Sequence, residues 1–154
     1  MRKTTWLKIW IELIWWYITL GITFGVLYPI VSSIGSYPFA LINAIFVVVF
    51  ITFVRYIFLL NQTFLEKLQY IKVAIVLLSV SFVFYLINGF SWFQTYMDEE
   101  GLQQFMMAIP IEDQEQLARY IRAEMIFFGV GSIISAIALP IRMIISIWRQ
   151  YNDR

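Results

Sequence analysis

Four unbroken apolar runs, at positions 9–31, 39–60, 71–93 and 125–148, organise the chain. None of them alternates apolar and polar residues with a period of two, and each exceeds the roughly 20 residues that carry a helix across a hydrocarbon core. Within lipid only helices and closed barrels satisfy their own backbone groups, and continuous runs without alternation read as helices. The pattern predicts an all-α integral membrane protein, a single domain over residues 1–154 with four transmembrane helices. The two halves do not resemble each other, so an inverted-repeat transporter is not supported.

The first run is patterned on two sides. At helical spacing Lys8, Glu12, Trp16, Thr19 and Thr23 share a face, while Gly21 and Gly25 lie about half a turn away. Such a helix is expected to have protein neighbours on both sides. Its basic start, MRKTTWLKIW, imitates a signal peptide, but the apolar run outlasts the roughly 7–15 residues of a signal h-region. An uncleaved anchor is expected.

The links differ in character. Residues 32–38 form a short uncharged turn rich in Ser, Gly and Pro, and residues 61–70 a second short link. Residues 98–124 are long and acidic, and predict two short helices. Asp98 is placed to cap the first, with Leu102, Phe105, Met106 and Ile109 on its apolar side. Pro110 breaks it and suits the start of the second, which carries Leu117, Tyr120 and Ile121 on one side and can run straight into the fourth span. These apolar sides are expected to rest on the bundle or the lipid boundary.

Charge sets the expected orientation. Arg2, Lys3, Lys8, Arg55, Lys67, Lys72, Arg142, Arg149 and Arg154 fall on one side, against Arg119 and Arg122 on the other among seven acids. The bias of Lys and Arg toward the cytoplasm makes both termini cytoplasmic and the acidic segment extracytoplasmic. The strength of the bias and the short links point to a bacterial inner membrane. The Asn61-Gln62-Thr63 triplet then lies inside, where it has no weight as a glycosylation acceptor.

Composition narrows the chemistry. The 154 residues are 61% hydrophobic and 14% charged, far from a soluble domain. A net charge of +1 offers no field for nucleic acid. Without cysteine there is no disulfide, thiol nucleophile or thiolate metal site. Without histidine there is no imidazole to hold a b-type haem or to sense pH near neutrality. No phosphate loop, metal-protease pair or calcium-loop spacing occurs, so no cofactor and no enzymatic activity are expected.

Three groups of residues remain as candidates. Glu12, Arg55, Lys72 and Arg142 fall near the inner boundary and form a candidate ion-pair or anionic-lipid site. Glu12 can pair with Arg55, with Arg142, or with Lys8 one turn away, the remaining cations snorkelling to headgroups. Asn43, Ser81, Tyr85 and Asn88 are candidate interhelical polar contacts, with Asn43 and Asn88 at similar depth. Gly21, Gly25, Gly129, Gly131, Ser132 and Ser135 are candidate positions of close helix packing. Pro140 is a candidate bend in the fourth span. The expected function is a non-catalytic accessory or assembly subunit with a membrane-protein partner, or a homo-oligomer. The alternatives are a small oligomeric transporter or channel using Glu12, and a lipid-binding or lipid-modifying protein.

Overall fold

The computed structural model describes residues 2–66 and 68–152. Lys67 and Arg154, and the side chains of Arg2 and Lys3, all of which enter the charge bias, lie outside that description. Five α-helices follow one another: α1 (Arg2–Ser33), α2 (Ala40–Leu59), α3 (Gln69–Glu99), α4 (Gln103–Met106) and α5 (Ile111–Asn152). Two 3-10 turns, Leu60–Gln62 and Phe64–Glu66, join α2 to α3. No strand occurs among the described residues. α1, α2, α3 and α5 are each long and apolar enough to cross a membrane, the architecture of a multi-pass membrane protein. Their outer surface suits lipid: Leu13, Phe24, Leu77, Leu78, Phe84, Ile134 and Ile145 are all exposed. A soluble monomer rarely shows so continuous an apolar surface.

The long helices pack in the order α1, α2, α5, α3. α5 packs along both α2 and α3, and α1 packs chiefly along α2. Phe39, at the start of α2, brings its ring against those of Phe93 and Tyr96 of α3, edge-on at 5.3 and 5.2 Å. Phe46, Leu86, Ile121 and Met125 continue this buried core. A smaller core of Leu60, Leu65, Leu139 and Met143 closes the other end.

Glycine sets how closely three of these helices meet. A methyl group at Gly129 would stand 2.6 Å from the Phe90 ring, one at Gly131 2.8 Å from Phe50, and one at Gly89 2.6 Å from Ile42. Ser132 and Ser135, also buried, bond back along α5 to the carbonyls of Gly129 and Ser132 at 2.8 and 2.9 Å. Their small size, rather than a bond across the interface, is what they contribute to packing.

The polar segment 98–124 departs from expectation at its first helix, while its second runs straight into the fourth span as α5. α3 runs on through Asp98 and Glu99, so Asp98 is inside a helix rather than capping one. The stop comes at Gly101, whose φ of 70° turns the chain out of the helix after its N–H and that of Glu100 have both reached the Tyr96 carbonyl. α4 is a single turn, and its apolar side packs on the bundle, with Leu102 and Met106 buried in the main core. The Gln114 amide donates to the Met106 and Ile109 carbonyls and ties α4 to the start of α5. Pro110 precedes α5, its carbonyl accepting from Asp113 and Gln114. α5 then continues without interruption through Pro140 to Asn152. At about 1.5 Å per residue it is roughly 60 Å long, twice the hydrocarbon thickness.

Candidate functional site

Two polar clusters interrupt the apolar interior, one at each end of the bundle. The first lies where α1 begins and α2 and α5 end. The Arg55 guanidinium stands 2.6 Å from the Glu12 carboxylate, and both side chains are buried. Neither Glu12 carboxylate oxygen has a hydrogen-bond partner, so the contact is an ion pair and not a hydrogen bond. Arg55 also lies over the rings of Trp15 and Tyr56, at 5.5 and 5.3 Å. Desolvation strengthens such cation–π contacts.

Lys8, one turn before Glu12, turns instead to Glu66 at 2.5 Å and to the Asn61 carbonyl at 3.3 Å. It thereby fastens α1 to the α2–α3 link. Lys72 is buried, its ammonium donating to the Glu66 carbonyl at 2.6 Å and to the Ser146 hydroxyl at 2.9 Å. Arg142 donates through Nε to the Ile57 carbonyl at 3.0 Å. Within this cluster Glu12 meets Arg55, while Lys72 and Arg142 bond to neutral oxygens. Glu66 lies in the second 3-10 turn and Ile57 in the last turn of α2, where carbonyls lack helical partners and cations can reach them.

The second cluster sits at the opposite end. The Asn43 side-chain amide of α2 donates to the Glu124 carboxyl of α5, and both residues are buried. Tyr37, in the α1–α2 link, is buried beside them. Its phenol is pushed above the usual tyrosine range, first by burial and then by the neighbouring Glu124 charge. The Asn43 amide acts in the other direction, although the Tyr37 hydroxyl has no hydrogen-bond partner. Glu124 Oε2 and Asn43 Oδ1 are likewise unpartnered. Nearby, the Tyr120 hydroxyl donates to the Val26 carbonyl at 2.9 Å and pins α5 to α1.

Asn43 therefore meets Glu124, not a residue of α3. Ser81, Tyr85 and Asn88 share a face of α3, but it is exposed and makes no interhelical hydrogen bond among the described residues. By sequence Glu124 reads as the last of the outer acids, because it adjoins the fourth apolar run. Its spacing of three and seven from Ile121 and Leu117, on the apolar side of that helix, is the signal that it turns inward.

The small residues also divide. Gly129 and Gly131 meet aromatic rings, whereas a methyl at Gly21 or Gly25 would meet nothing within 4 Å. Glu12, Thr19 and Thr23 are the buried side of α1, and Trp16 is exposed. Within this chain α1 thus has neighbours on one side only. A polar pocket of about 570 Å³ opens beside α4, lined by Asp98, Glu99, Glu100, Glu115 and Arg122 among others. An apolar groove of about 190 Å³, bounded by Phe53, Phe82 and Leu139, opens between α2, α3 and α5.

No protein-family model, curated protein or solved structure matches this chain.

Proposed function

We propose that this chain is a non-catalytic accessory or assembly subunit of a membrane complex, or the protomer of a homo-oligomer. It sits in a bacterial inner membrane with both termini in the cytoplasm. The observation that carries the reading is the placement of α1. The helix packs chiefly on α2, with Glu12, Thr19 and Thr23 buried, and leaves the Gly21 and Gly25 face uncovered. Lipid gives helices no hydrophobic reason to associate, so close backbone approach at small residues is a main source of their affinity. The buried ion pair ties α1 to α2, and the aromatic core holds α2, α3 and α5 together, both without that face.

The absence of native cysteine makes the reading directly testable. Gly21→Cys is introduced and oxidised in native membranes. A cross-link to a second copy, or to a copurifying membrane protein, supports the proposal. A well-behaved monomer in mild detergent, with the introduced thiol labelled only by lipid-soluble reagents, argues against it.

A second reading, a small oligomeric transporter, draws on the buried Glu12 carboxylate and its lack of hydrogen-bond donors. It requires that Glu12→Gln abolish an ion flux into proteoliposomes.

A further inference from the structure

The cluster of Asn43, Glu124 and Tyr37 serves no part of the association described above. It is a carboxyl group enclosed by apolar side chains, with Ile121 and Met125 fully buried on the same helix. No cation neutralises it: the ion pairs of the described residues are Lys8–Glu66, Arg55–Glu12 and Arg119–Glu115. α2 carries no charged residue before Arg55, and α1 none between Glu12 and Ser33. The titratable groups facing Glu124 are Tyr37 from the α1–α2 link and Tyr120 one turn earlier on α5. At the end of α3, Asp98, Glu99 and Glu100 are exposed, as are Arg119 and Arg122 on α5.

Hydrogen bonding shows what the cluster lacks. Glu124 Oε2 and Asn43 Oδ1 are acceptors without a donor, and the Tyr37 hydroxyl is unpartnered. Each of these residues is more than nine-tenths buried. A proton on Glu124 Oε2 would add the missing donor and remove the uncompensated charge. A proton needs no extra volume, whereas a metal cation or cationic ligand would need room in a packed core. A lone ionised carboxylate in apolar surroundings neutralises rather than persist.

We propose that the Glu124 carboxyl, held by Asn43 and lying beside Tyr37, is a binding site for an exchangeable proton, supplied from the aqueous phase on the α4 side. Arg122, two residues before it, lines the polar pocket that opens on that side. Buried acids in membrane segments recur as stations in proton relays, and this one occupies the junction of α2, α5 and the α1–α2 link.

The test is infrared difference spectroscopy of the full-length protein in lipid nanodiscs, titrated from acid to alkaline pH in H2O and D2O. A protonated-carboxyl C=O band is expected at neutral pH. It should shift in D2O, disappear on alkalinisation and be missing from Glu124→Gln. Tyr37→Phe, which retains the ring, should keep the band and move its midpoint by about tenfold in proton concentration. If Glu124→Gln does not fold, Asn43→Ala provides the second variant and must change the band frequency. Absence at neutral pH of any band attributable to Glu124 would overturn the proposal. So would a band that appears only when sodium or potassium is withdrawn, or one that neither exchanges with D2O nor titrates while helicity persists.

Discussion

Removing the charge at one end of the Glu12–Arg55 contact leaves the other charge buried. The two groups are 2.6 Å apart, with side chains 10% and 5% exposed, so water can do little to compensate either one. Breaking a buried pair from one side typically costs about 3–5 kcal/mol, whereas exchanging both members for apolar residues is often neutral or stabilising. Glu12→Leu should therefore destabilise the protein by about 3 kcal/mol, near the low end because the Trp15 and Tyr56 faces still hold the guanidinium. Arg55→Leu loses those ring contacts as well and should cost about 1 kcal/mol more. The double variant should return to within about 1 kcal/mol of the parent, a coupling far above the roughly 0.5 kcal/mol scatter of independent sites. Equilibrium unfolding in mixed micelles, followed by far-ultraviolet circular dichroism, measures all four corners of the cycle. If the double variant loses the sum of the two single losses, the contact does not hold α1 to α2 and the reasoning fails.

Other outcomes follow from the packing. Gly129→Ala and Gly131→Ala drive a methyl into Phe90 and Phe50 and should each lower stability by about 1–3 kcal/mol in the same assay. Gly21→Ala and Gly25→Ala meet open space, so they should leave the monomer's stability unchanged or slightly higher while weakening any association measured by cross-linking. Lys72→Met removes the donor that serves the Glu66 carbonyl and Ser146, and should destabilise by about 1–3 kcal/mol, as thermal unfolding will show. Ser146→Ala, which leaves the carbonyl contact intact, should cost less than half as much.

The apolar runs make the four long helices legible in the sequence, since length and hydropathy are properties of single segments. Their ends are less legible. α3 and α5 continue well past the apolar runs because no proline or glycine stands in the polar stretches 94–99 and 111–124 that extend them. Neighbours are harder still. A face rich in Ser81, Tyr85 and Asn88 looks like an interface, yet it lies outward because α3 is held by α5 and by the Phe39 cluster on other sides. Charge identifies the acids that need partners but not which partner each one reaches. Lys8 finds Glu66 rather than Glu12 because the α2–α3 link folds back beneath α1, a tertiary arrangement that local spacing does not encode.

The central claim, that α1, α2, α3 and α5 each cross the bilayer, is tested most directly by substituted-cysteine labelling of sealed membrane vesicles with a membrane-impermeant maleimide. Single cysteines in place of Ser36, Gln62, Gln116 and Tyr151 sample the α1–α2 link, the α2–α3 link, the projecting start of α5 and its far end. The account predicts that positions 36 and 116 label from one side only and positions 62 and 151 from the other only. Labelling of all four from the same side would contradict it.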